Sequence, residues 1–188
     1  VASTFDPAYR CCTFRGSVAA LDAATGDLLW QHYTVPNPAS PQGKTRVGTE
    51  TLGPSGAPVW NSPAVDAKRG RIYFGSGENY SSPADGNSDA IFAVDIKTGQ
   101  RLWQQQFTKG DAWNGSCMMQ DHPNCPVENG PDVDFSASPM LIDLGHGKQA
   151  VVAGQKSGEV FAFDPDANGK LIWRNPVGTA LLMAALLI

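Results

Sequence analysis

The sequence has few of the features that mark nucleic-acid-binding or membrane proteins. Its net charge is -4 and it contains no cluster of five or more Lys and Arg residues, so it offers no electrostatic surface for nucleic acid or anionic lipid. The longest apolar run covers nine residues, 180–188, whereas a membrane-spanning helix needs about 20. We therefore expect no membrane span and no nucleic-acid partner, and a small neutral or polar partner is favoured.

The start of the chain also lacks the usual targeting signals. Residues 1–10 contain no initiator Met, no charged n-region and no apolar segment, so no signal peptide is visible. We expect the natural N-terminus to lie upstream of this sequence.

The composition favours strands over helices. The chain has 188 residues, of which 41% are hydrophobic, enough for a sizeable core. Its 20 glycines and 14 prolines stand among short β-branched and aromatic runs, which favours many strands joined by tight turns. The predicted fold class is all-β.

Internal repetition is the strongest feature of the sequence. Three segments share an alternating run, an Asp, a turn with Gly and a second run that reaches Trp. They read ALDAATGDLLW at 20–30, AVDIKTGQRLW at 93–103 and AFDPDANGKLIW at 162–173. Their aspartates, Asp22, Asp95 and Asp164, lie 73 and 69 residues apart. Each segment predicts a β-hairpin, because the Asp can accept hydrogen bonds from the turn and the Gly tolerates a positive φ.

Further strand signals lie upstream of the second and third hairpins, at 71–77 and 149–155. About four strands per repeat fit a β-propeller of four-stranded antiparallel blades with long loops. The alternative is a β-sandwich in which similar hairpins recur by chance. A propeller closes only when all blades are present, because each blade buries its faces against its neighbours. With two and a half to three repeats, we expect residues 1–178 to form part of a propeller.

The pattern Ala-x-Asp-x-x-Thr-Gly-x-x-x-Trp resembles the tryptophan-docking motif of quinoprotein dehydrogenases, whose eight-bladed propellers bind pyrroloquinoline quinone (PQQ). The resemblance runs from residue 6 to about residue 178. Strings such as CCTFRGSVAALDAATG, GPSGAPVWNSPAVD and DFSASPMLID look closest to the polyvinyl alcohol dehydrogenase branch. Residues 179–188 depart from the pattern, and we interpret them as a truncation or frame artefact, with a true divergence as the alternative.

Cys11 and Cys12 are adjacent, and a bond between adjacent cysteines closes a ring that distorts the intervening peptide. In quinoprotein alcohol dehydrogenases that this chain resembles, such a disulfide covers one face of PQQ and an indole covers the other. The resemblance therefore implies that Cys11 and Cys12 are bonded and bind PQQ together with Trp60. From the residues alone, two free buried thiols and an ordinary core tryptophan are the alternatives.

Two basic residues are candidates for binding the charged groups of PQQ, which carries three carboxylates and an ortho-quinone. Arg15 can bind a carboxylate through its guanidinium. The resemblance implies that Lys156 lies against the quinone oxygens, where a cation stabilises the negative charge that develops as hydride is accepted. Lys156 is thus expected to be both a cofactor ligand and a catalytic residue. For both side chains, a solvated surface charge is the alternative.

The resemblance is weaker at the metal ligands. Methanol-type alcohol dehydrogenases hold Ca²⁺ on PQQ with a Glu, an Asn and an Asp, because Ca²⁺ requires oxygen ligands. Those positions are Pro58, Glu78 and Asn114 here. Glu78 is the candidate metal ligand, with a solvent-facing loop carboxylate as the alternative. Asn114 has no useful basicity, so the nearest carboxylate, Asp111, is the candidate catalytic base.

Cys117 and Cys125 enclose a short loop and could form a second disulfide. A zinc site that combines them with His122 is the alternative, but it offers only three ligands in a tight loop. Four cysteines in two pairs favour an oxidising compartment, and we expect a periplasmic protein.

The sequence supports two functions. The first is PQQ-dependent oxidation of a secondary alcohol, polymeric substrates such as polyvinyl alcohol included, with electrons passing to a c-type cytochrome. The second is a non-catalytic scaffold, similar to propeller assembly factors that keep the docking motif and lack PQQ. The vicinal cysteines, Trp60 and Lys156 favour the enzyme, whereas the lost metal carboxylates favour the scaffold. We expect the 188-residue chain to be inactive by itself.

Overall fold

The computed structural model describes residues 2–178, so the interpretation of 179–188 falls outside the described residues. Within this range the chain forms fourteen strands and two short 3₁₀ helices, Ala2–Phe5 and Gly115–Met118. The strands, in chain order, are β1 (Ser17–Leu21), β2 (Leu28–Tyr33), β3 (Ser40–Lys44), β4 (Glu50–Gly53), β5 (Ser55–Gly56), β6 (Ala64–Asp66), β7 (Arg71–Gly75), β8 (Asn79–Ser81), β9 (Ala90–Asp95), β10 (Arg101–Gln106), β11 (Met140–Gly145), β12 (Lys148–Gly154), β13 (Glu159–Asp164) and β14 (Lys170–Pro176). Neither of the helices in this range is long and apolar enough to cross a bilayer. The prediction of an all-β fold is confirmed.

The strands form two four-stranded antiparallel sheets and three two-stranded sheets. The large sheets have the orders β10-β9-β7-β6 and β11-β12-β13-β14. The small sheets pair β1 with β2, β3 with β4, and β5 with β8. We call the β1–β2 sheet blade 1, and the two large sheets blade 2 and blade 3 in chain order. The described residues thus form two complete blades and one partial blade. The prediction that they form part of a propeller is confirmed.

Each repeated segment forms a hairpin with the expected turn contacts. Oδ1 of Asp22 accepts hydrogen bonds from the backbone N–H groups of Ala24 and Thr25, both at 2.9 Å. Asp95 and Asp164 accept bonds from the second and third residues after them in the same way. The second strand of each hairpin does not end at its Trp, as the sequence suggested, but continues three residues beyond it.

The tryptophan of one repeated segment packs on the turn glycine of the next. Trp30 donates from Nε1 to the backbone oxygen of Ile96 at 3.0 Å, and a Cβ added to Gly99 would lie 2.5 Å from the Trp30 ring. Gly169 has the same relation to Trp103, also at 2.5 Å. Both glycines have a φ of 69°, which a residue with a side chain rarely adopts. These contacts join blade 1 to blade 2 and blade 2 to blade 3.

Blade 2 is buried on both faces. Along β9, the side chains of Ala90, Phe92 and Val94 belong to the hydrophobic core shared with blade 1. Ile91 and Ala93 belong to the core shared with blade 3. Because successive side chains of a strand point to opposite faces, β9 contributes to both cores. The two larger hydrophobic cores therefore lie between blades.

A long irregular connection, residues 107–139, joins β10 to β11. It contains the second 3₁₀ helix, and a backbone bridge between Asn79 and Ala112 ties it to β8. Irregular connections of such length in compact domains are usually functional. This one carries most of the acidic side chains described below.

Candidate functional site

Both cysteine pairs considered in the sequence analysis are bonded. Cys11 is joined to Cys12, and Cys117 to Cys125. No free cysteine remains among residues 2–178, which include all four cysteines of the chain. The alternatives of two free thiols and of a zinc thiolate site are therefore wrong.

A cavity of about 240 Å³ lies beside the vicinal disulfide, and we call it the disulfide cavity. Its walls include Cys12, Phe14, Glu78, Tyr80 and Trp113. The rings of Phe14 and Tyr80 lie with their centroids 5.6 Å apart. Aromatic and disulfide walls with a few polar groups are typical of a site for a flat organic molecule.

Glu78, which lines the disulfide cavity, belongs to a group of three carboxylates. One carboxylate oxygen from each of Glu78, Asp132 and Asp134 lies within 4.8 Å of the other two. The three residues are 6%, 8% and 2% exposed, respectively. Buried oxygen ligands of this kind suit a hard cation such as Ca²⁺. We call this group the carboxylate cluster.

Lys156 balances part of the negative charge of the cluster. Its Nζ lies 2.9 Å from Oδ1 of Asp132 and 2.5 Å from Oδ2 of Asp134. Burial by itself would lower the pKa of the Lys156 ammonium, but the two aspartates raise it above its usual value. Burial and the neighbouring Asp134 carboxylate raise the pKa of Glu78 to about 11. A bound divalent cation would therefore stabilise the charged form of these carboxylates.

Close backbone approach holds the cluster together. Oδ1 of Asp134 accepts a hydrogen bond from the backbone N–H of Glu78 at 2.8 Å. A Cβ on Gly77 would collide with that carboxylate, so only glycine fits at this position. Without a side chain at Gly77, the segments that contain Glu78 and Asp134 can approach within hydrogen-bonding distance.

Asp111, the candidate base from the sequence, lies behind the cluster. It is fully buried, and its carboxylate accepts hydrogen bonds from the backbone N–H groups of Asp132 and Val133 at 3.2 and 3.1 Å. Burial raises the pKa of Asp111. These contacts favour a role in positioning Asp132. The assignment of Asp111 as the base stays a prediction.

Asn114 holds the wall of the disulfide cavity in place. Its side chain donates to the backbone oxygens of Tyr80 and Asn124 at 2.9 and 2.8 Å. It also accepts from the backbone N–H of Ser116 at 2.9 Å and so caps the second 3₁₀ helix. With both ends of its amide engaged, Asn114 has a structural role in this loop.

Arg15 is oriented by neighbouring backbone and by an aromatic ring. Its Nη1 donates to the carbonyl oxygens of Val35 and Pro36 at 3.3 and 2.9 Å. The guanidinium carbon lies 3.8 Å from the centroid of the Tyr33 ring. A guanidinium has five N–H donors, so donors remain for a carboxylate ligand.

Trp60 lies on the Lys156 side of the carboxylate cluster. Its ring centroid is 5.2 Å from Nζ of Lys156, and the residue is 47% exposed, so the alternative of an ordinary core tryptophan is wrong. The described walls of the disulfide cavity do not include Trp60. The cluster thus adjoins the disulfide cavity through Glu78, and its partner Lys156 lies near the indole. The arrangement of both around one cofactor stays a prediction.

The sequence analysis missed Asp132 and Asp134. The available signal was the string DVD at 132–134, which places two carboxylates two residues apart. Carboxylate oxygens are ligands that a hard cation prefers. Glu78 was found, but it is one of three ligand candidates rather than the only one.

Comparisons with known proteins agree with this architecture. Residues 2–127 match the PQQ family described as glucose/ethanol/alcohol dehydrogenase, beta-propeller domain. The chain is 40% identical over 169 residues to a polyvinylalcohol dehydrogenase of a Pseudomonas species, an alignment that covers 90% of this chain and 26% of the relative. It is 38% identical over 179 residues to a polyvinylalcohol dehydrogenase of a Sphingopyxis species, covering 93% of this chain and 27% of the relative.

A solved structure supports the same comparison. The quinohemoprotein alcohol dehydrogenase of Pseudomonas putida superposes with a TM-score of 0.63 at 25% identity, over 88% of this chain and 25% of that protein. The chain therefore spans about a quarter of the length of the relatives it matches.

Proposed function

Because the chain belongs to the PQQ family of glucose, ethanol and alcohol dehydrogenases, in the part that forms the β-propeller domain, we propose that the full-length protein is a PQQ-dependent alcohol dehydrogenase. The observation that supports this proposal is that a disulfide-walled cavity is lined by Glu78 of the carboxylate cluster, and that the two aspartates of the cluster pair with Lys156. Buried carboxylates grouped around one ammonium beside a cavity are typical of an active site. A scaffold has no use for them.

The residues present fit both PQQ and Ca²⁺. Cys12 and Phe14 line the disulfide cavity, and Cys11 is bonded to Cys12. Lys156 and Arg15 do not line that cavity, and their role as cations for the quinone and carboxylate oxygens is part of the proposal. The carboxylate cluster offers oxygen ligands to Ca²⁺. When bound, PQQ supplies the acceptor for a hydride from the carbinol carbon of the alcohol.

The residues of this chain have three tasks in the proposed reaction. Lys156 presents positive charge where negative charge develops in the transition state. A carboxylate accepts the proton of the alcohol: Asp111 is the candidate from the sequence, and Glu78 is the carboxylate of the cluster that lines the disulfide cavity. Phe14 and Tyr80 exclude water from the disulfide cavity.

The proposal also names a class of substrate and an electron acceptor. We infer a secondary alcohol, polymeric ones included, because two relatives carry the name polyvinylalcohol dehydrogenase. The two disulfides support an oxidising compartment. We therefore propose a periplasmic protein with a c-type cytochrome as its electron acceptor.

Replacement of Lys156 tests the proposed function. In full-length protein titrated with PQQ and Ca²⁺, Lys156→Ala is expected to lower dye-linked alcohol turnover by about 10²–10³-fold, the usual effect of removing one electrostatic contact to a transition state. Lys156→Arg keeps the charge and should retain more activity. Lys148→Ala removes an exposed lysine at the start of β12 and should leave turnover unchanged.

Two results would contradict the proposal. The first is wild-type turnover in Lys156→Ala that remains folded by circular dichroism. The second is a full-length wild-type protein that does not bind PQQ, which would favour the scaffold function.

A further inference from the structure

A second, larger cavity lies on the other side of the vicinal disulfide. It has a volume of about 760 Å³, within the range of ligand-binding clefts. Three segments form it: the β3–β4 hairpin, residues 81–83, and residues 117–129 with the Cys117–Cys125 disulfide. We call it the loop groove.

The loop groove and the disulfide cavity share a thin wall. In three segments, residues one or two positions apart line different cavities. Cys12, Tyr80 and Gly115 line the disulfide cavity, whereas Cys11, Ser81 and Cys117 line the loop groove. The Cα atoms of Cys11 and Cys12 are 3.1 Å apart, so the wall is one or two residues thick. The loop groove therefore lies directly beside the disulfide cavity.

The loop groove is held open by contacts between its sides. Arg46 of the hairpin region donates to the backbone oxygen of Asp121 in the facing loop. The disulfide between Cys117 and Cys125 fixes the ends of that loop. The groove is therefore formed before a ligand binds, which lowers the entropic cost of binding.

The lining of the loop groove suits a neutral chain that carries hydroxyl groups. Its charged side chains balance, with Lys44 and Arg46 against Asp121 and Glu128. Its walls contain both hydrogen-bonding and apolar side chains, including Gln42, Thr45, Thr51, Met119, Pro123 and Val127. A charged polymer would find no complementary charge there, whereas a chain of alternating carbon and hydroxyl-bearing groups could use both kinds of contact.

We propose that the loop groove binds the part of a polyhydroxylated chain that adjoins the alcohol group undergoing oxidation. This inference rests on the proposed function, because it assigns the groove to the same substrate. The disulfide cavity holds the reacting group, and the groove holds the neighbouring units. The groove therefore confers preference for polymeric over small alcohols.

Two substitutions that narrow the loop groove test the proposal. Val127→Trp and Met119→Trp add volume at exposed groove positions, where wild-type Val127 is 90% exposed and Met119 48%. Val47→Trp is the matched control, because Val47 is a 52% exposed valine of the same hairpin region outside the groove lining. The ligand is a short vinyl alcohol oligomer with a fluorophore at one end, and its binding to the full-length protein is measured by anisotropy.

The groove variants are expected to bind the oligomer at least about tenfold more weakly, which corresponds to the loss of a few contacts. Their kcat/KM for propan-2-ol with PQQ and Ca²⁺ should equal that of wild type, and Val47→Trp should match wild type in both assays. Wild-type oligomer affinity in both groove variants overturns the proposal, as does undetectable oligomer binding by wild type. An equal loss of propan-2-ol and oligomer turnover also overturns it.

The two proposals can fail separately. If the wild type binds the oligomer through the groove but oxidises neither alcohol, the enzymatic function is wrong and the binding site stands. If it oxidises propan-2-ol and the groove variants bind the oligomer normally, the enzymatic function stands and the groove assignment is wrong.

Discussion

At the scale of single residues, the proposed Ca²⁺ binding depends on the charge of the carboxylate cluster. Lys156 pairs with Asp132 and Asp134 of that cluster, and Glu78 lies within 4.8 Å of both aspartates. Asp89 is also buried, and burial together with the charges of Asp111 and Asp134 raises its pKa well above the usual value. The affinity of oxygen sites for Ca²⁺ follows the number of charged ligands, so each carboxylate of the cluster should contribute.

Glu78→Gln is expected to weaken Ca²⁺ binding by about tenfold or more. Glutamine keeps the shape and one oxygen of the side chain but removes its charge. The measurement is the Ca²⁺ dependence of the melting temperature of the full-length protein. Glu159→Gln is the control, because that carboxylate lies at the surface, 3.8 Å from Arg174. Equal Ca²⁺ affinity in wild type and Glu78→Gln would remove Glu78 from the ligand set.

The sequence revealed some site residues and not others, depending on how local their signal is. Cys11 and Cys12 are adjacent, so their pairing needs no knowledge of the fold. Asp134 contacts Glu78 across a separation of 56 residues, and only the folded connection brings the two together. For this reason the DVD string could not be connected with Glu78 until the structure placed the two side by side.

At the scale of elements, the joint between a tryptophan and the next turn glycine determines how blades associate. The indole of Trp103 is nearly buried over Gly169, and the indole of Trp30 over Gly99. These hairpins were predictable from sequence because a turn depends on four or five consecutive residues. The path of residues 107–139 was not predictable, because it lacks periodicity and is fixed by contacts with distant strands.

Gly169→Ala is expected to destabilise the full-length protein more than Gly147→Ala. Both positions have similar φ, 69° and 74°, so both alanines carry backbone strain of about 1–2 kcal/mol. At Gly169 the new Cβ would also lie 2.5 Å from the Trp103 ring, whereas nothing lies within 4 Å at Gly147. Overpacking of this kind costs about 1–3 kcal/mol more.

The difference is measured by urea unfolding followed by tryptophan fluorescence. Equal free energies of unfolding in the two variants would show that the indole and the turn glycine are not in tight contact.

At the scale of the whole molecule, blade 3 presents an apolar outer face. Leu141 packs towards blade 2, so Met140, Ile142 and Leu144 on the same strand point the other way and are exposed. Contiguous exposed apolar surface of this kind marks an interface. In a propeller the face of one blade is covered by the next.

The 188-residue chain on its own is therefore expected to self-associate and to show no alcohol oxidation with added PQQ and Ca²⁺. Ile142→Glu should shift it towards monomer in sedimentation experiments, whereas Val47→Glu, in a turn remote from this face, should not. A monomeric wild-type chain that oxidises alcohol would contradict this expectation.

The glycine beneath each indole also bears on how such a chain can lengthen during evolution. Blade 2 carries both halves of the joint, since its turn glycine receives Trp30 and its own Trp103 reaches the following turn. A tandem duplication of such a unit would insert a copy that already fits the blade before it and the blade after it. The joint itself needs no compensating substitution at either junction. The new core would bring the two different faces of blade 2 together, so adaptation after such a duplication falls on the core side chains and not on the joint.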